Sequence, residues 1–158
     1  MPRYEPWSAE RAQLIIDANK HREGAALPIL HALQHAFGCI PDAAVPMVAE
    51  ALNLSRAEIY GTVTFYHDFR NKPPGRRVLK LCRAESCQAA GGDALAARAE
   101  EKLGVKFGET TTDARVTLEA VYCLGLCHSS PAALLDHEHV VGMLDKAKLD
   151  ALLREAQA

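Results

Sequence analysis

The stretch that decides the fold is VTLEAVYCLGLC, residues 116–127, in which an alternating run leads directly into two closely spaced cysteines. Val116, Leu118 and Ala120 occupy every second position, and this period of two predicts a strand. An earlier stretch, RVLKLCRAESC at residues 77–87, has the same layout of a short strand followed by a cysteine pair. The sequence therefore predicts two strands, each with a pair of thiols in the short loop beyond its end.

Other elements surround these strands in the second half of the chain. The expected elements are a helix at residues 93–103, a hairpin of strands at 132–135 and 140–143, and a last helix capped by Asp145. The resulting order, β-α-β-β-β-α, predicts a small mixed sheet flanked by helices.

The first half has the period of a helix instead. The expected helices run from the N-cap Ser8 to about His21, from Pro28 to a stop at Gly38, over residues 46–52, and onward from a capping box at residues 55–58. Two prolines and a glycine in NKPPG, residues 71–75, then interrupt any helix. We therefore expect an α+β protein with a helical bundle over residues 1–72, followed by an α/β domain with a mixed sheet over residues 76–158.

Composition excludes several classes of protein. The 158-residue chain is 49% hydrophobic and 24% charged, as in folded globular proteins, and its net charge of −2 gives no reason to bind nucleic acid or an anionic membrane. No apolar run reaches the roughly 18 residues that span a bilayer. Residues 49–63 have the pattern of a helix-turn-helix motif, but Arg56 is their only basic residue. DNA binding is therefore disfavoured, because a recognition helix needs several basic side chains to contact phosphates. With an early acidic residue and no apolar leader, we expect a cytoplasmic protein.

Five cysteines in a reducing compartment indicate metal or redox chemistry rather than disulfides. Four residues separate Cys82 from Cys87, and three separate Cys123 from Cys127. Thiolate sulfur favours zinc or iron–sulfur over magnesium or calcium. A 2Fe–2S cluster takes four cysteines, and a structural zinc ion takes four with similar spacings, so spacing alone leaves both open.

For a 2Fe–2S site, we expect each cysteine pair to bind one of the two irons. The oxidised cluster with its four thiolates carries a charge of about −2, so the loops must offer main-chain N–H donors to the sulfurs. Gly125, and Gly91 with Gly92, would let the main chain approach closely because glycine has no Cβ. Arg83 adds a nearby positive charge.

Several motifs carry a resemblance to a known family. They are LCRAESC at residues 81–87, GETT at 108–111, YCLGLC at 122–127 with the following Pro131, LSRAEIYG at 54–61 and VTFY at 63–66. The chain resembles the thioredoxin-like 2Fe–2S subunits of NADH-oxidising complexes, which include the small iron–sulfur subunit of complex I and its relative in NAD-linked hydrogenases. The resemblance implies a thioredoxin-like domain with one 2Fe–2S cluster, rather than zinc, on the four paired cysteines.

Within this family, the chain is most similar to the gamma subunit of soluble NAD-dependent formate dehydrogenase. RAES at residues 83–86 and FYHDFR at residues 65–70 carry that likeness. Asp113-Ala114 stands where the family often has Asp-Gly, and Ser130-Pro131 stands where Ala-Pro is common. We expect neither departure to disturb cluster ligation.

The resemblance implies electron transfer, with no catalytic residue in this chain. The implied partners are a flavoprotein subunit that holds FMN, NAD and further iron–sulfur clusters, and a large catalytic subunit that holds a molybdenum cofactor. The helical bundle would dock against the flavoprotein, and neither nucleic acid nor membrane would be a partner. The alternatives are the equivalent subunit of NADH:quinone oxidoreductase or of an NAD-linked hydrogenase and, from another class, a zinc-stabilised interaction module.

Overall fold

The structure, a computed structural model, describes residues 4–158, so residues 1–3 at the start of the predicted helical segment lie outside it. The chain divides into two compact units between Pro73 and Pro74. The described residues form seven α-helices, one 3₁₀ turn and one four-stranded sheet. This confirms the predicted α+β class, with a helical part followed by a part that contains a mixed sheet.

The first unit consists of four helices. They are α1 (Ala9–Asn19), α2 (Ala26–Phe37), α3 (Ala44–Leu52) and α4 (Arg56–Phe65). Ser8 caps α1, and Gly38 ends α2 in the left-handed conformation at φ 77°, as predicted. α1 ends two residues before the predicted His21, where the Asn19 side chain donates to the Ile15 carbonyl at 2.9 Å.

The capping box predicted for α4 is present. The Ser55 hydroxyl accepts from the Glu58 N–H at 3.2 Å, and the Glu58 carboxylate accepts from the Ser55 N–H at 2.8 Å. The four helices enclose an apolar core, whose largest fully buried side chains include Ile16, Ile29, Leu30, Leu33 and Ile59.

The second unit contains the sheet. Its strands are β1 (Arg77–Cys82), β2 (Val116–Val121), β3 (Ala133–Leu135) and β4 (His139–Val141), in the order β2-β1-β3-β4. β1 and β2 are parallel, whereas β3 is antiparallel to both β1 and β4, so the sheet is mixed. β4 ends before the predicted residue Met143, because Met143 has a left-handed backbone (φ 45°) that a strand cannot contain.

Three helices accompany the sheet. α5 (Glu85–Ala89) was not predicted, because a single turn is too short to show a helical period, while α6 (Gly92–Leu103) and α7 (Lys146–Gln157) match the predicted helices. Fully buried side chains of this unit's core include Leu79, Val116, Leu118, Leu135 and Leu149. None of the helices between residues 4 and 158 combines the length and apolar character needed to cross a membrane.

An ion pair joins α6 to α7. The Arg98 guanidinium donates two hydrogen bonds to the Asp150 carboxylate, at 2.9 and 2.7 Å, and Lys102 lies 3.4 Å from the same carboxylate. These hydrogen bonds, with Arg98 first, lower the pKa of Asp150 from its usual 3.8 to about 2. Because the folded pKa lies below the unfolded value, the stability that the ionised carboxylate contributes is present above pH 3.8 and is lost as the pH falls through about 2.

We predict that Asp150→Asn lowers the thermal unfolding midpoint of the metal-free chain at pH 7, and that the difference from the wild type shrinks between pH 3.8 and about 2. Circular dichroism melts at several pH values measure this. Glu138→Gln, which removes a carboxylate in the exposed turn between β3 and β4, is the control. A difference that stays constant across this pH range would contradict the assignment.

Candidate metal centre

The segments that carry the two cysteine pairs meet at one edge of the sheet. Cys82 is the last residue of β1 and pairs in register with Val121, the last residue of the parallel strand β2. Cys123 follows Val121 by two residues, so parallel pairing brings both thiol-bearing segments beyond the same edge. The Cys82 N–H donates to the Ala132 carbonyl at 3.0 Å, which adds the segment before β3 to this region.

The pair beyond β2 is already closely spaced. The Sγ atoms of Cys123 and Cys127 lie 3.7 Å apart, and both residues are exposed. Gly125 has a left-handed backbone (φ 77°) and donates its N–H to Cys123 Sγ at 3.3 Å. The main chain therefore donates to sulfur at this glycine, and what glycine contributes is its left-handed backbone, since nothing lies within 4 Å of a Cβ on Gly125.

The pair formed by Cys82, at the end of β1, and Cys87 is buried, and Cys87 lies in a different element from the one predicted. Cys82 is 5% exposed and Cys87 is 2% exposed. Cys87 is in α5 rather than in a loop. Gly92, the first residue of α6, packs against it, since a Cβ on Gly92 would lie 2.6 Å from the Cys87 carbonyl oxygen. Nothing lies within 4 Å of a Cβ on Gly91, so of these two glycines it is Gly92 that permits close contact.

Main-chain N–H groups contact the buried sulfurs. Burial raises the pKa of Cys82, and hydrogen bonds from the N–H groups of Ala84 and Leu124 oppose that rise. Burial also acts to raise the pKa of Cys87, but a hydrogen bond with the Cys82 thiol, together with the Ser130 hydroxyl and a further N–H group, lowers that pKa below its ordinary value. Of these two buried cysteines, Cys87 is therefore the one whose thiolate the surrounding hydrogen bonds favour over burial.

The two pairs interact electrostatically. A hydrogen bond with Cys123, and then its charge, raises the pKa of Cys127, and the charge of Cys87 raises it further. Because Cys87 belongs to the buried pair and Cys127 to the exposed pair, the thiols of the two segments lie close enough for their charges to be coupled.

Two serines link the pairs, and we call them the serine bridge: Ser86 of α5 and Ser130, which precedes Pro131. Their Oγ atoms are 2.9 Å apart, and both can donate to the Cys127 carbonyl, Ser86 at 3.1 Å and Ser130 at 2.8 Å. Ser130 Oγ also lies 3.7 Å from Cys87 Sγ. The Ser130–Pro131 peptide bond is cis. The sequence predicts no effect of Ser130 on the site, and its only sign of this contact is a hydroxyl residue directly before Pro131.

Arg83 does not direct its charge at the sulfurs. Its guanidinium pairs with Asp93 at 3.0 Å and lies over the Phe107 ring, 5.1 Å from the ring centre. His128, which follows Cys127 in the chain, is exposed on the 3₁₀ turn. The groups that stabilise anionic sulfur at this edge are therefore neutral hydrogen-bond donors rather than a cationic side chain.

Within the described chain the thiols are hydrogen-bonded in two pairs, Cys82 with Cys87 and Cys123 with Cys127. Across residues 4–158, no group of three or more His, Cys, Asp and Glu side chains is arranged to hold a metal ion, and the cysteines are free of disulfides. A 2Fe–2S cluster uses its four thiolates two to each iron, and the paired thiols with their N–H donors fit that arrangement.

Comparison with known proteins shows the family. Residues 12–157 match the thioredoxin-like [2Fe-2S] ferredoxin family, and the chain belongs to it. This membership confirms the resemblance seen in the sequence and the thioredoxin-like character of the second unit.

Relatives of this chain are named as subunits of NADH-quinone oxidoreductases. It is 39% identical over 137 residues to an NADH-quinone oxidoreductase subunit of Rhizobium meliloti (strain 1021), with 87% of this chain and 81% of the relative covered. It is 31% identical to an NADH-quinone oxidoreductase subunit of Escherichia coli (strain K12), with 85% and 82% covered. A crystal structure of an NAD+-reducing [NiFe]-hydrogenase in the air-oxidized state superposes with a TM-score of 0.71 and 30% identity, over 84% of this chain but 22% of the hydrogenase chain. The predicted closeness to formate dehydrogenase stays a prediction.

We predict that Gly92→Ala destabilises the second unit, because the added methyl group would lie 2.6 Å from the Cys87 carbonyl oxygen. Overpacking of this kind costs about 1–3 kcal/mol. Urea unfolding of the metal-free chain measures the loss. Gly61→Ala is the matched control, since nothing lies within 4 Å of its Cβ and alanine favours the helix α4. Equal stability of the two variants would contradict the packing role of Gly92.

Proposed function

We propose that this chain is the 2Fe–2S electron-transfer subunit of a cytoplasmic NAD-dependent formate dehydrogenase, with Cys82, Cys87, Cys123 and Cys127 as the cluster ligands. The observation that carries the proposal is the convergence of two thiol pairs at the ends of parallel strands, in a chain of the thioredoxin-like 2Fe–2S ferredoxin family. When bound, such a cluster supplies one-electron redox chemistry. The cytoplasmic location is part of the proposal because free thiols persist in a reducing compartment.

The residues of this chain hold the group and set its surroundings. The buried pair lies in a small apolar cluster of its own with Ala132, while Leu124 and Leu126 pack against that cluster and limit water access. N–H groups of the two thiol-bearing segments and of the segment before β3 donate to sulfur and oppose the unfavourable effect of burial on its negative charge. The other pair stays exposed, which leaves a route for electrons to a partner.

The proposal assigns no bond-making step to this chain. Support for NAD-linked partners comes from the relatives, which are named as subunits of NADH-quinone oxidoreductases, and from the likeness to an NAD+-reducing hydrogenase. In a formate dehydrogenase, we expect a flavoprotein subunit with FMN, NAD and further iron–sulfur clusters, and a large molybdenum-containing subunit that acts on formate.

The parent enzyme is proposed from two sequence stretches. RAES at residues 83–86 and FYHDFR at residues 65–70 support a formate dehydrogenase gamma subunit, and Ser86 of the first stretch belongs to the serine bridge. The relatives named above favour a second candidate, the equivalent subunit of an NADH:quinone oxidoreductase or an NAD-linked hydrogenase. Both candidates assign the same ligands and the same electron-transfer role.

We also propose that residues 1–72 dock a partner subunit. Two aromatic side chains of α4 are exposed, Tyr60 at 59% and Phe65 at 72%. Tyr66, the residue directly after α4, is 43% exposed. Neighbouring exposed aromatic side chains are typical of protein interfaces. The flavoprotein subunit is the partner that we expect here.

The ligand set is tested by single cysteine-to-serine replacements. We expect Cys123→Ser and Cys127→Ser to abolish or strongly alter the visible absorption and the electron paramagnetic resonance of the reduced cluster. Because both residues are exposed, the fold should survive, and circular dichroism of the metal-free variants checks this. Cys39→Ala, at a buried position in the first unit, is the control and should leave the spectra unchanged.

Two outcomes would contradict the assignment. One is an unaltered spectrum in Cys123→Ser. The other is native protein that contains zinc without acid-labile sulfide, which would support the zinc-stabilised interaction module instead.

The parent enzyme is tested by purification of the complex from its native source through a tag on this chain. We expect co-purification of a flavoprotein and a molybdenum-containing subunit, and NAD+ reduction that depends on formate. Activity with hydrogen, or NADH oxidation coupled to quinone, in the absence of formate-dependent activity would favour the second candidate.

A further inference from the structure

We propose that Ser130 is a positioning residue whose hydroxyl raises the reduction potential of the cluster at the two cysteine pairs, and that Ser86 assists by leaving the proton of Ser130 available. This inference rests on the proposed 2Fe–2S function. It gives the serine bridge a role in electron transfer that does not follow from membership of the family.

The geometry places the Ser130 hydroxyl between the two pairs. Its Oγ atom lies 3.7 Å from Cys87 Sγ in the buried pair and 2.8 Å from the carbonyl of Cys127 in the exposed pair. The hydroxyl is therefore within hydrogen-bond reach of a cysteine sulfur. A thiolate that binds iron has no proton, so any hydrogen bond between these two atoms must then be donated by Ser130.

A count of protons shows why the second serine is needed. Each hydroxyl has one proton to donate, and the acceptors within reach of Ser130 are the Cys87 sulfur, the Cys127 carbonyl and the other hydroxyl. Ser86 Oγ lies 3.1 Å from the same carbonyl and can donate to it. When Ser86 satisfies the carbonyl, the proton of Ser130 is free to turn toward sulfur.

The direction of the effect follows from charge. The reduced cluster carries one more negative charge than the oxidised cluster, so a donor at sulfur stabilises the reduced form more and raises the potential. The N–H donors at the cysteines belong to the main chain and survive side-chain substitution. Replacement of the serines therefore isolates the contribution of the hydroxyl groups.

The test is a redox titration of the loaded full-length protein, followed by electron paramagnetic resonance. For Ser130→Ala, we expect the equilibrium constant for reduction to fall about three- to tenfold, the range of one hydrogen bond, which is a shift of ~30–60 mV to lower potential for a one-electron couple. Ser86→Ala should shift the potential in the same direction. The double variant should shift it no further than Ser130→Ala, because the two serines act as one unit.

Two further variants separate this role from a merely structural one. Ser130→Thr keeps a hydroxyl and should keep the potential of the wild type. Ser129→Ala removes the adjacent hydroxyl, which is not within hydrogen-bond reach of a cysteine sulfur in the described chain, and should leave the potential unchanged. If Ser130→Ala fails to load a cluster, Ser86→Ala decides the question, since it leaves Ser130 in place.

An unchanged potential in Ser130→Ala, or an equal shift in Ser129→Ala, would overturn the inference while the cluster spectra stay intact. Wild-type protein without iron and acid-labile sulfide is a separate result, which would overturn the proposed function as well. Iron and sulfide analysis of every preparation therefore distinguishes the two failures.

Discussion

Parallel pairing of β1 with β2 is the constraint on which the site depends. Six residues of each strand lie in register, from Arg77 opposite Val116 to Cys82 opposite Val121. The segments that follow the two strands therefore leave the sheet at the same edge. A shift of this register by one residue would move every side chain of the strand to the other face. The buried Leu79 and Leu118, opposite each other in the core, oppose such a shift, and hydrophobic burial thereby determines where the thiols meet.

The two cysteine pairs lie in different environments. One pair, Cys82 and Cys87, is buried against Ala132. Burial raises the pKa of Cys82, whereas hydrogen bonds lower the pKa of Cys87. The other pair is exposed on a turn shaped by Gly125. Burial of one side protects a cluster from water, and exposure of the other leaves it within reach of a partner, as an electron-transfer subunit requires. The serine bridge connects these sides with hydrogen bonds rather than covalent links.

Local patterns predicted most of the elements and both cysteine pairs. The alternation in β2, the capping box at Ser55 and the left-handed stop at Gly38 are encoded within a few residues, and the structure contains each of them. The short helix α5 and the serine bridge escaped prediction for different reasons. One helical turn has no period to detect, and the contact between Ser86 and Ser130 joins residues 44 positions apart, which no local pattern can reveal.

The most direct measurement of the central claim is anomalous X-ray scattering at the iron edge from crystals of the natively loaded protein. We expect two iron peaks per chain beyond the ends of β1 and β2, one next to Cys82 and Cys87 and the other next to Cys123 and Cys127. A single peak equidistant from all four sulfurs, a signal at the zinc edge instead, or iron bound elsewhere on the chain would contradict a 2Fe–2S cluster held by these two pairs.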